Sequence, residues 1–154
     1  RSEAERAAKA GDWARALGAW RAFNATSAVS GATHLEEARA ALAMGYAGQA
    51  EASLRRAILA NPADTESWKL LLEIMRVEER GLDAQEVVWA SYDRIPDGSR
   101  RDVLRELALA VLADVPDQSV RDALDRWIAA DPSDVEARVA LVLGSRTVAE
   151  AAQR

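Results

Sequence analysis

Three prolines constrain this chain more than any other feature. Pro62, Pro96 and Pro132 stand 34 and 36 residues apart, and each closes a run of helix-forming residues such as "AEASLRRAILA", which ends before Asn61. A proline ring cannot occupy a helix interior and biases the residue before it away from helical angles, so Asn61, Ile95 and Asp131 are expected helix ends. A stop that returns at near-constant spacing is the signature of a repeat array.

Sliding the sequence by 34 brings further columns into register. Ala16, Ala50 and Ala84 align, as do Trp20, Leu54 and Val88, then Phe23, Ala57 and Ser91, and finally Ala28, Pro62 and Pro96. Upstream, Ala4, Ala38 and Leu72 align, and so do Ala7, Ala41 and Met75; Gly11 matches Gly45, while Gly81 arrives two places late as the expected third turn glycine. Each unit therefore reads as two helices joined by a tight turn at the glycine. Small and large side chains at i and i+4, such as Ala50, Leu54 and Ile58, form one stripe, and the small ones let a neighbouring backbone approach. Asp64, Ser99 with Asp102, and Ser133 with Glu136 are expected to cap the helices that follow each stop. The predicted helices are 2–10, 12–24, 32–44, 47–60, 65–79, 83–95, 100–114, 118–130 and 134–143, with another beginning near Thr147.

These columns resemble the tetratricopeptide repeat. The second unit, 31–64, is similar to it at Ala38, Gly45, Ala50, Leu54, Ala57 and Pro62, and the third, 65–98, at Trp68, Leu71, Met75, Ala84, Val88, Ser91 and Pro96. The first, about 1–30, fits through "GDWARAL" but has Phe23 where the family prefers Ala; the fourth, about 99–134, has extra residues and Trp127 in the small column, and a partial fifth spans 135–154. The resemblance implies one all-α domain over 1–154, a right-handed α-solenoid of antiparallel helix pairs. Half-a-tetratricopeptide and pentatricopeptide arrays share the general pattern; the last binds RNA.

Charge bears on that choice. With 20 basic and 25 acidic side chains the formal net charge is −5, a field that repels phosphate backbones, so nucleic acid is not the expected partner. A hydrophobic share of 49% suffices for a core, no apolar run is long enough to cross a bilayer, and without cysteine there are no disulfides. Lys9 and Lys69 are the only lysines against abundant arginine and alanine, a bias of GC-rich bacterial genomes, which makes bacterial cytoplasm or periplasm the expected compartment. The start "RSEAERAAKAGDW" has neither Met nor an apolar signal core, so the chain is expected to be a segment of a longer protein.

Little in the sequence speaks for chemistry. His34 is the lone histidine and reads as a helix-surface or capping residue; with no cysteine, no His/Cys metal cluster can form. Glu36-Glu37 and Glu78-Glu79 are adjacent on helices, point in different directions and read as solvated. "GYAGQA" lacks the Lys-Ser/Thr ending of a phosphate loop and reads as a turn. Of Trp13, Trp20, Trp68, Trp89 and Trp127 nearly all fall at or beside packing columns, and Arg94, Arg100 and Arg101 in "RIPDGSRRD" read as a solvated loop. No catalytic, cofactor or metal site is expected.

What the resemblance does imply is a concave face, lined by the first helix of each unit, that binds a peptide or helix. The family's groove positions are the second, fifth, ninth, twelfth and thirteenth of a unit. They fall on Ala32, Leu35, Arg39, Leu42 and Ala43 in the second unit, and on Glu66, Lys69, Glu73, Arg76 and Val77 in the third. Lys69, Glu73 and Arg76 share one helix face, as a binding site or as an internal ion-pair ladder. The expected partner-binding residues are Arg39, Leu42, Glu66, Lys69, Glu73 and Arg76, and the expected function is a scaffold or adaptor for a protein partner, with Arg39, Lys69 and Arg76 favouring an acidic one. A regulatory or substrate-recruiting domain of a larger enzyme is the alternative. The asparagine with which some family members grip chaperone tails is absent, the ninth position being Glu5, Arg39 and Glu73 in turn. Finally, "SDVEARVALVLG" is apolar all round, so the C-terminal end is expected to be covered by further repeats or a second copy.

Overall fold

The computed structural model describes residues 1–26 and 30–113. Among them are seven α-helices and no strand: α1 (Ser2–Lys9), α2 (Trp13–Thr26), α3 (Gly31–Ala43), α4 (Ala47–Ala60), α5 (Thr65–Val77), α6 (Gly81–Ser91) and α7 (Asp97–Ala113). The chain divides into two units, Arg1–Leu71 and Leu72 onward. The expectations for the fourth unit beyond Ala113, for the fifth, for Trp127 and for the apolar C-terminal end lie outside the described residues.

In the first unit α1 packs on α2, α2 on α3, and α3 on α4. The aligned columns form its core: Ala4, Ala16, Ala38, Ala50, Leu54 and Ala57 are fully buried, with Trp20 and Ala41 nearly so. Burying Leu54 alone is worth about 1.5–3 kcal/mol. The alanines set the helix spacing. Gly31 does the same more severely, because a Cβ there would lie 3.0 Å from the Ala57 carbonyl oxygen and 3.1 Å from the Asn61 Cβ. Contact with helices on two sides gives α3 a broad buried surface, which takes in Thr33, His34 and Glu37.

The second unit repeats the column logic. Leu72, Met75, Ala84 and Val88 are buried, together with Ile95 and with Val103, Leu104, Leu107, Ala108 and Ala110 of α7, which packs on α6.

The turns carry the period. Each helix pair is joined by a Schellman motif, in which a long-range backbone bond closes the helix end around one left-handed residue. The Asp12 amide donates to the Ala7 carbonyl at 2.9 Å, Tyr46 to Ala41 at 2.9 Å, and Arg80 to Met75 at 2.8 Å. Donors and acceptors alike recur every 34 residues. The left-handed residues are Gly11 (φ 74°), Gly45 (φ 75°) and Glu79 (φ 55°). The expectation that Gly81 makes the third turn is therefore corrected: Gly81 is the buried first residue of α6, and a glutamate takes the strained position two residues before it.

Stops and starts follow the prolines with one shift. α4 ends at Ala60, and Asp64 caps α5 as expected, accepting from the Glu66 amide at 3.2 Å and from the Ser67 hydroxyl at 2.6 Å. At the second stop α6 closes at Ser91 into a single 3-10 turn, Tyr92–Arg94, and Ile95 is extended before Pro96. The Pro96 carbonyl then accepts from the Ser99 and Arg100 amides, so α7 begins at Asp97, and Ser99 lies inside its first turn instead of capping it.

Candidate functional site

α1, α2 and α3 enclose a crevice of about 390 Å³. Arg1, Glu5, Ala8 and Lys9 line it from α1 and its start, Ala32, Thr33, Leu35 and Glu36 from α3, and Trp20 from α2. In the register of the repeat, Arg1, Glu5, Ala8 and Lys9 are the fifth, ninth, twelfth and thirteenth positions of the first unit, and Ala32 and Leu35 are the second and fifth of the next. Ala4 and Ala7 are buried, and Arg1, Glu5, Ala8 and Lys9 form the stripe of α1 and its start that flanks them, which is how these residues come to line one side of the crevice.

The crevice is charged and carries an unmet donor. The Arg1 guanidinium donates to Glu5 at 2.9 Å; that bond, helped by the charges of Arg1 and Lys9, holds the Glu5 carboxyl below its ordinary range against the opposing effect of desolvation. Glu36 is tied to Arg39 at 3.0 Å. Trp20 is 3% exposed, and its indole N–H has no acceptor among the described residues. Trp68, by contrast, is fully buried and donates to the Pro62 carbonyl at 3.0 Å. An acceptor brought by a guest would complete Trp20.

The residues expected to bind a partner are placed as follows. Arg39 is exposed on α3 and bridges Glu36 and, at 3.4 Å, Glu66 of α5; Leu42 is half-buried. Glu66, Lys69, Glu73 and Arg76 follow one another along a single side of α5. Arg76 reaches Glu73 at 3.6 Å, whereas Lys69 makes no ion pair among the described residues. Of the three cations expected to favour an acidic partner, two are already paired within the chain. The turn reading of "GYAGQA" agrees with Gly45 and the start of α4 at Ala47. In "RIPDGSRRD", Arg100 pairs with Asp97 at 2.6 Å and lies 4.7 Å over the Tyr92 ring. Trp13 is exposed.

Sequence reasoning missed a second polar group altogether. His34 and Glu37, expected at a helix surface, are both buried. The Asn24 side-chain amide of α2 donates to Glu37 Oε2 at 2.7 Å and to the Thr33 carbonyl at 3.3 Å, and lies 3.4 Å from His34 Nδ1. His34 Nδ1 is 3.6 Å from Glu37, and Arg21 Nε approaches the other carboxylate oxygen at 3.7 Å. Glu36, one residue away, does face outward, as two adjacent helical residues must. The available signal was a polar i, i+3 pair on each of two consecutive helices, Arg21 with Asn24 and His34 with Glu37.

Comparison with protein-family models, curated proteins and solved structures returns no match. Among the described residues no helix is long and apolar enough to cross a membrane, and no three His, Cys, Asp or Glu side chains gather where they could hold a metal ion.

Proposed function

We propose that this chain is a tetratricopeptide-like array, a right-handed solenoid of antiparallel helix pairs, that acts by binding a partner protein segment and not by catalysis. The observation that carries the reading is the crevice between α1 and α3, because six of its ten lining residues, Arg1, Glu5, Ala8, Lys9, Ala32 and Leu35, fall on the groove positions of two successive units. The periodic turns and columns support the array itself.

The chemistry of this face favours an extended segment rich in acceptors. In the crevice Lys9 offers positive charge, Trp20 an unmet indole N–H, and Ala32 and Leu35 apolar contact, while Lys69 is exposed on α5. Arg39 pairs with Glu66 at the start of α5, and Glu73 with Arg76 further along that helix. Backbone carbonyls and carboxylates of an acidic peptide fit such a surface, and its affinity falls with salt.

Selection of a random-peptide display library on the 154-residue chain tests this. Enrichment of Asp- and Glu-rich peptides, with binding reduced by Lys9→Glu and by the pair Lys69→Glu and Arg76→Glu at unchanged helicity, is the expected result. Selected peptides indifferent to all three substitutions and to salt would move the site off this face.

A further inference from the structure

A cavity of about 490 Å³ opens on the other polar group, lined by Arg21, Asn24 and Ala25 of α2, His34 and Glu37 of α3, and Arg56 of α4. We propose that it binds a small carboxylate ligand bearing its own N–H or O–H donor, a hydroxy acid or an amino acid. One unmet acceptor and one cation without an ion pair carry the inference. The Asn24 amide nitrogen is fully engaged, which fixes the orientation of the amide, and its oxygen is left buried with no hydrogen-bond partner. A buried acceptor left unmade is costly, so the cavity calls for a donor at this point.

The second is Arg56, exposed at the cavity's edge. Its neighbour Arg55 donates twice to Glu51, at 3.1 and 2.9 Å, whereas Arg56 makes no ion pair among the described residues. Arg21 is occupied by Glu37 and by the Gln49 side chain, which offsets the one carboxylate in the cavity and leaves the charge of Arg56 uncompensated. The lining thus asks for one anionic group at Arg56 and one donor at the Asn24 oxygen. A guanidinium recognises a carboxylate through paired, charge-assisted bonds. The volume lies within the range of small-molecule sites. This cavity shares no lining residue with the α1–α3 crevice.

The test is an NMR shift titration of the 154-residue chain. The probes are glycolate and glycine, which carry both groups, acetate, which lacks the donor, and ethanolamine, which lacks the carboxylate. Glycolate or glycine is expected to shift the Asn24 side-chain amide and the His34 ring resonances saturably, with acetate and ethanolamine markedly weaker. Arg56→Gln, an exposed change that leaves the fold intact, is expected to weaken binding about tenfold, the loss of one charge-assisted contact. Arg55→Gln is expected to change nothing. No saturable shift with any probe, meaning that only water fills the space, overturns the proposal. So does equal binding of acetate and glycolate, indifference to Arg56→Gln, or shifts centred on Lys9 in place of Asn24.

Discussion

The turns at Gly11 and Gly45 and the turn at Glu79 have the same backbone but not the same chemistry. All three place a left-handed residue between a helix end and an i→i−5 bond of 2.8–2.9 Å. For glycine this conformation is free of strain; for a residue with a Cβ it costs roughly 1–2 kcal/mol. That Glu79 adopts it shows where the turn is decided. The flanking columns, Ala7, Ala41 and Met75 before it and Ala16, Ala50 and Ala84 after it, are buried in every case and pin the chain on both sides. Packing dictates the turn, and the residue within it sets only how much strain is stored.

The largest expected effect tests the columns. Ala50→Trp and Ala84→Trp each overpack a fully buried contact, one after a glycine turn and one after the glutamate turn, and each should cost about 1–3 kcal/mol in urea unfolding. If one is costly and the other silent, the columns are not equivalent and the comparison breaks. Next in size, Gly45→Ala should lose about 1 kcal/mol, since it adds the Cβ strain that Glu79 already bears. Glu79→Gly should move the opposite way and raise stability by about 0.5 kcal/mol, relief of strain being partly offset by the greater freedom of glycine in the unfolded chain. Destabilisation by Glu79→Gly would mean that its side chain makes a contact worth more than the strain.

The smallest effect asks whether charge distinguishes the helices that lead into these turns. Glu5 on α1 has its folded-state pKa lowered, chiefly by Arg1, so its contribution to stability is present above the unfolded pKa and is lost as pH falls through the folded one. Glu5→Gln should therefore flatten the acid limb of the stability–pH curve, with the two proteins converging at low pH. As an exposed pair it contributes little, and coincident curves throughout would assign it nothing.

Much of the helical organisation was legible because it rests on local rules. Pro62 and Pro96 stop helices wherever they stand, Asp64 caps from its own side chain, and alanine columns at fixed spacing reveal themselves by alignment. Glu79 was not legible: nothing in a glutamate announces a positive φ, and Gly81 nearby drew the assignment to itself. The start of α7 was misplaced for a similar reason, since the Pro96 carbonyl serves the first turn and no side-chain cap is required. His34 and Glu37 look like surface residues until α3 is known to be packed on two sides. The α1–α3 crevice was half visible. Ala32 and Leu35 followed from the resemblance, but the role of Trp20 depends on an indole N–H without an acceptor, which only coordinates reveal.

The recurring turn bond also sets a clock. The amides of Asp12, Tyr46 and Arg80 are each held by one backbone bond at a helix end, so each exchanges with solvent when its own turn opens. Strain at Glu79 favours the open form, so the Arg80 amide should trade its proton for deuterium faster than the other two. An array that looks uniform in space would then be uneven in time, with the joint between α5 and α6 releasing first.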